Sequence, residues 1–146
     1  MQMIYLAGSC SSEQRTMMRK IAERLRSSGY AVYCPFELKI PNAWDMSQED
    51  WSQKVFDADV KALDDCDIFL MISPGRYGTA GTNWEQGYAY AKKKRIIVIQ
   101  FTQQQTSLMT YIGSTVFINA RVEEIEEALE LALCRTSKEP CRTVLT

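Results

Sequence analysis

Glu85, Asp59 and Tyr5 are the side chains through which this chain could do covalent chemistry, because the sequence contains no histidine. Without imidazole, Ser-His and Cys-His nucleophile pairs and most zinc sites are excluded. Acid–base work then falls to carboxylates, Tyr, Lys or Cys. Glu85 lies in residues 78–91, Gly-Thr-Ala-Gly-Thr-Asn-Trp-Glu-Gln-Gly-Tyr-Ala-Tyr-Ala, a glycine-rich loop running into a helical pattern after an apolar run. That is the carboxyl end of a strand, where open α/β sheets place ligands. Asp59 falls inside an apolar arc of Trp51, Val55, Phe56, Ala62 and Leu63 when the segment is wound at about 100° per residue. A carboxylate in a buried stripe costs several kcal/mol unless it is paired or put to use. Tyr5 stands in the first apolar run. Two carboxylates and a phenol converging on one crevice suit glycosidic bonds: one carboxylate attacks the anomeric carbon, and the other acid protonates the leaving group.

Each residue also has a structural reading. Thr82-x-x-Glu85 has the spacing of a capping box, in which both side chains satisfy amides at a helix start. Asp59 could cap a loop or pair with a cation, and Tyr5 could be a core ring with one satisfied hydroxyl. Cys10, in the loop after the first strand, lacks the imidazole that would activate it.

The elements that must position these groups alternate regularly. Apolar runs at 3–7, 31–34, 67–72, 96–100 and 115–118 read as strands. Helical patterns fall at 13–27, ended by Gly29, at 48–65, from Thr82 to the basic run 92–95, and at 122–134, while 108–112 is ambiguous. Residues 36–46 read as a loop of lid or pocket length. The alternation predicts an α/β domain over residues 1–134, a five-stranded parallel sheet flanked by helices on both faces, Rossmann- or flavodoxin-like. The tail 135–146 is expected to be partly disordered.

The 146 residues, 46% hydrophobic and 24% charged, fit one domain with a real core. A net charge of -1 gives no electrostatic case for nucleic acid or an anionic membrane, and no apolar run has the length of a membrane span. Five irregularly spaced cysteines without a C-x-x-C, and an N-terminus running directly into a strand, suggest reduced thiols in a cytoplasmic protein with no metal.

Four pieces in order resemble the nucleoside 2-deoxyribosyltransferase family, which includes deoxynucleoside 5′-monophosphate N-glycosidases. They are Ile4-Tyr-Leu-Ala-Gly8, Asp59 on a helix leading into Asp67-Ile68, Gly81-Thr-x-x-Glu85-x-Gly87-Tyr-Ala89, and Leu108-Met109. The resemblance covers residues 3 to 112. It implies that Glu85 is a nucleophile at C1′ forming a covalent glycosyl-enzyme, that Tyr5 orients it, and that Asp59 protonates the departing base. It implies no cofactor, nucleosides or nucleotides and free nucleobases as ligands, and a homodimer or larger assembly in which Met109 reaches a neighbouring subunit's site. Free-base transferases usually carry Asp six residues before the nucleophile, where this chain has Thr79. A small hydroxyl there resembles the monophosphate hydrolases. So does the polar loop Gly8, Ser9, Ser11 with Arg15, at a helix start suited to an anion. Met109 points the other way, to the transferases. The reading favours transfer between bases, with hydrolysis of a deoxynucleoside 5′-monophosphate as the alternative. An alternative of another class is a non-catalytic nucleotide-binding sensor.

Overall fold

A computed structural model of the protein describes residues 1–9, 11–75, 78–104, 106–134 and 139–145. Cys10 therefore lies outside the described residues. The elements run β1 (Met3–Ala7), α1 (Ser12–Ser27), β2 (Ala31–Tyr33), α2 (Gln48–Asp65), β3 (Ile68–Ser73), α3 (Ala80–Ala91), β4 (Arg95–Gln100), α4 (Leu108–Ile112), β5 (Val116–Asn119), α5 (Ile125–Cys134) and β6 (Cys141–Val144). All pairings are parallel, in the order β2-β1-β3-β4-β5-β6. The sheet thus has six strands, not the expected five. The sixth comes from the tail: Cys141-Arg-Thr-Val144 pairs with β5 from Val116 to Asn119. It is short, polar and on an edge, so it lacks the apolar run that betrays a buried parallel strand.

Alternation along each strand divides the core in two. Ile4 and Leu6 pack with Met18, Ile21 and Leu25 of α1 and Ala128 and Leu129 of α5 on one face. Tyr5 and Ala7 pack with Ala62 and Leu63 of α2 and Ala89 of α3 on the other. Strand order reverses direction at β1, between β1 and β3, which is the switch point where such sheets open a crevice at their carboxyl ends.

Two helices differ from expectation. In α2 only Ala62 and Leu63 are fully buried, while Trp51 and Phe56 of the apolar arc are 39% and 50% exposed. The stripe is real, but its first half is only partly covered, Phe56 meeting the Trp84 ring of α3 edge-on at 5.5 Å. α3 begins two residues earlier than Thr82. Its N-cap is Thr79, whose Oγ1 accepts the Thr82 amide at 3.3 Å. Gly29, at φ 94°, closes α1 in the left-handed conformation expected of a helix-ending glycine.

Candidate active site

The shift of the α3 start decides the reading of Glu85. With Thr79 as cap, Glu85 stands in the second turn of the helix, and no capping box forms around it. Its carboxylate instead accepts, at Oε2, a hydrogen bond from the Tyr5 hydroxyl. Tyr5 is fully buried on β1, its ring packed between Tyr33 of β2 at 5.3 Å and Phe69 of β3 at 5.7 Å. Asp59, half-buried on α2, accepts from the Tyr33 hydroxyl at 2.7 Å. The two carboxylates are thus each held by a phenol, and the phenols stack against each other.

Tyr33 is a site residue that sequence reasoning missed. An aromatic residue in a strand reads as core, and Tyr33 carries no motif. The available signal was positional: Tyr5 and Tyr33 sit on neighbouring strands, and the sheet register pairs them directly.

Among the described residues, burial is the largest influence on the charge of these groups. Desolvation pushes the Glu85 carboxyl up to about 7; the Tyr5 hydrogen bond opposes the shift and the charge of Asp59 adds to it. Burial also raises Asp59, against the favourable bond from Tyr33. The Tyr5 phenol is driven well above its ordinary range by burial and by Glu85, so it stays a donor. Tyr33 is raised likewise, by burial and by Asp59. Two carboxyls raised together and repelling each other titrate as a coupled pair.

The other expected residues fall in three places. Gly8 follows β1, where an added Cβ would stand 2.8 Å from Met18 Cε, so the strand exit and α1 approach closely because the residue is glycine. Ser9 Oγ accepts the Ser11 amide at 3.2 Å, and Ser11 occupies the α1 N-cap position without a side-chain cap bond. Arg15 is exposed one turn further on. Thr79 is exposed at the head of α3, its hydroxyl 2.6 Å from that of Thr82. Gly81 is exposed, with no atom within 4 Å of where a Cβ would stand. The head of α3 is therefore open to a ligand.

Met109 is not brought to this cluster within one chain. It is 76% exposed on α4. With Leu108 and Ile112 it lines a hollow of about 550 Å³ against Asn83, Gly87 and Tyr90 of α3. Helical geometry places that flank of α3 well round from Glu85.

Comparison with known proteins shows the family. The family profile described as nucleoside 2-deoxyribosyltransferase matches residues 4–132. A 2-deoxyribosyltransferase from Bacillus psychrosaccharolyticus superposes with a TM-score of 0.72 at 29% identity, over 79% of this chain and 84% of that one. The CMP N-glycosidase of Clostridium botulinum gives 0.60 at 22% identity over 89% and 98%. A conserved protein from Enterococcus faecalis V583 gives 0.60 at 17% over 99% and 82%. The last two share the fold. No curated protein matches the chain.

Proposed function

Because the chain belongs to the nucleoside 2-deoxyribosyltransferase family, and is thereby an enzyme of N-glycosidic transfer or cleavage on nucleosides, we propose that it moves a 2-deoxyribosyl group from one nucleobase to another through a covalent intermediate on Glu85. The observation that carries this reading is the Tyr5–Glu85 hydrogen bond. It fixes Oε2, leaves Oε1 to face the sugar, and favours the ionised carboxylate that burial disfavours.

In the first half-reaction, a lone pair of Glu85 Oε1 forms the bond to C1′ as the C1′–N bond breaks. The electron pair leaves with the base, whose ring nitrogen takes a proton from Asp59. The step needs Asp59 neutral and Glu85 ionised. A flat base laid over Asp59 desolvates it further and keeps it neutral, while positive charge developing at C1′ draws the anion to Glu85. In the second half-reaction an incoming base attacks C1′ and gives its proton to Asp59, and Glu85 departs as carboxylate. Two displacements give net retention at C1′.

A second reading, hydrolysis of a deoxynucleoside 5′-monophosphate, is favoured by one region. Ser11 at the head of α1, Ser9 beside it and Thr79 at the head of α3 are hydroxyls at helix N-termini, which suit a phosphate. Incubation with deoxynucleosides and with their 5′-monophosphates, each with and without a second free base, separates the two. The expected product is a new nucleoside, formed only when the second base is present. Free base with deoxyribose 5-phosphate from the monophosphates would replace this reading with the hydrolase. No base released from any substrate would leave a non-catalytic nucleotide-binding module.

The same reading makes the enzyme a homodimer or larger even assembly. Glu85 is the only Asp, Glu, Lys or Arg in α3, and the outward residues Ala80, Trp84, Gly87 and Ala91 are uncharged. Beside them Leu108, Met109 and Ile112 are 74%, 76% and 57% exposed. Apolar patches of this kind are covered by a partner more often than by water, and a second copy would bring Met109 towards the neighbouring site. Sedimentation should give at least twice the chain mass for the native protein and the chain mass for Met109→Glu. A native monomer would remove the assembly from the reading.

A further inference from the structure

We propose that Tyr33 is a positioning residue for the acid step: it holds Asp59 by Oδ1, turns Oδ2 towards the departing base, and with Tyr5 ties the two carboxyls to adjacent strands. This rests on the reading of Asp59 and Glu85 given above and adds a residue to it.

The argument begins in the sheet. β1 and β2 are parallel neighbours, and their register sets Tyr5 directly opposite Tyr33. Neighbouring strands lie about 4.8 Å apart, and the two rings accordingly stack with centroids 5.3 Å apart and planes 30° from parallel. Each phenol then reaches a carboxyl on a different helix: Tyr5 donates to Glu85 of α3, and Tyr33 donates to Asp59 of α2. Helices can slide on a sheet by small amounts, whereas hydrogen-bonded strands cannot. The two stacked phenols therefore tie both carboxyls to adjacent strands of the sheet.

The bond also selects an oxygen. A phenol that stays protonated can donate to only one carboxyl oxygen, so Oδ1 is the acceptor. When Asp59 is neutral its own proton therefore sits on Oδ2. Among the described residues, the titratable groups acting on Asp59 and its partners are Tyr33 from β2, Tyr5 from β1 and Glu85 from α3, all neutral or acidic. Tyr33 is thus the group that tempers the burial of Asp59. The two tyrosines play matched parts, one for the nucleophile and one for the acid.

Tyr33→Phe keeps the ring and removes the hydroxyl. The expected result is a fall in kcat of roughly tenfold to a hundredfold, the worth of one hydrogen bond to a charged group, with KM within about twofold and melting behaviour retained. In an Asp59→Asn background the same substitution should cost little more, because its effect passes through Asp59. A loss that simply multiplies that of Asp59→Asn, or a kcat unchanged from wild type, overturns the proposal. A second measurement does not depend on turnover: the carbon-13 carboxyl titration of Asp59, assigned with Asp59→Asn. It should move to higher pH in Tyr33→Phe, and an unmoved titration overturns the proposal. If the wild type releases no base, the reaction reading fails while this titration still tests the pair.

Discussion

Glu85→Gln is expected to abolish base release, by roughly 10⁴-fold or more, as loss of a covalent nucleophile does elsewhere. Glutamine has nearly the same shape and can still accept from Tyr5, so the loss isolates the charge and nucleophilicity of the carboxylate. Peptide mass spectrometry of the wild type, quenched with substrate and no acceptor, should find a deoxyribosyl group on the Glu85 peptide, and the variant should carry none. An adduct on another residue would sink the assignment.

The same substitution is expected to stabilise the protein above neutrality. Glu85 ionises near 7 in the folded state against 4.5 for the ordinary side chain, because burial disfavours its charge. Its folded pKa is raised, so below about 4.5 the group is neutral in both states and costs nothing. As pH climbs from 4.5 through 7 the unfolded chain ionises first and the folded state falls behind. Above 7 the penalty is complete, up to about 3 kcal/mol. Glutamine carries no such penalty. Thermal melts at pH 5 and pH 8 should therefore show a gain for Glu85→Gln that is larger at pH 8. A variant that melts lower at pH 8 would mean that the Tyr5 bond outweighs the burial.

Asp59→Asn is the second large effect, roughly 10² to 10⁴-fold, the usual range for a lost general acid. Asparagine keeps the bond from Tyr33, so the fold survives. The loss should depend on the leaving group. A 2′-deoxynucleoside of a 7-methylated purine leaves as a neutral base and needs no proton, so its turnover should fall by less than about tenfold. Ordinary adenine or cytosine nucleosides should show the full loss. Equal losses for both kinds of leaving group would make Asp59 a binding residue rather than an acid.

The legible part of this chain was the part that burial writes into sequence. β1, β3 and β4 are covered on both faces, so Ile4, Leu6, Ile68, Leu70, Ile97 and Ile99 form runs that allow little else. Asp59 stood out because a carboxylate interrupted an apolar arc, and Glu85 because it followed a glycine-rich strand exit. What stayed hidden depended on competition or on distance. Thr79 and Thr82 are both competent caps three residues apart, and only the folded chain shows that Thr79 takes the role while Thr82 is buried. The stripe of α2 has the period of a buried helix, but periodicity does not tell how much of a stripe is covered. Tyr33 matters because it lies beside Tyr5, 28 positions earlier in the chain, and no local pattern records such a neighbour.

The sixth strand changes what the sheet offers to other chains. Val116-Phe-Ile-Asn119 would by itself present an apolar, β-branched edge with open hydrogen bonds, the template on which strands of separate molecules add. Cys141-Arg-Thr-Val144 occupies that template. It presents a more polar edge that carries a guanidinium, and Arg142 is anchored to the Tyr111 and Ile112 carbonyls at 3.3 and 3.1 Å. The tail of the chain thus covers an edge that β5 would otherwise offer to a second molecule.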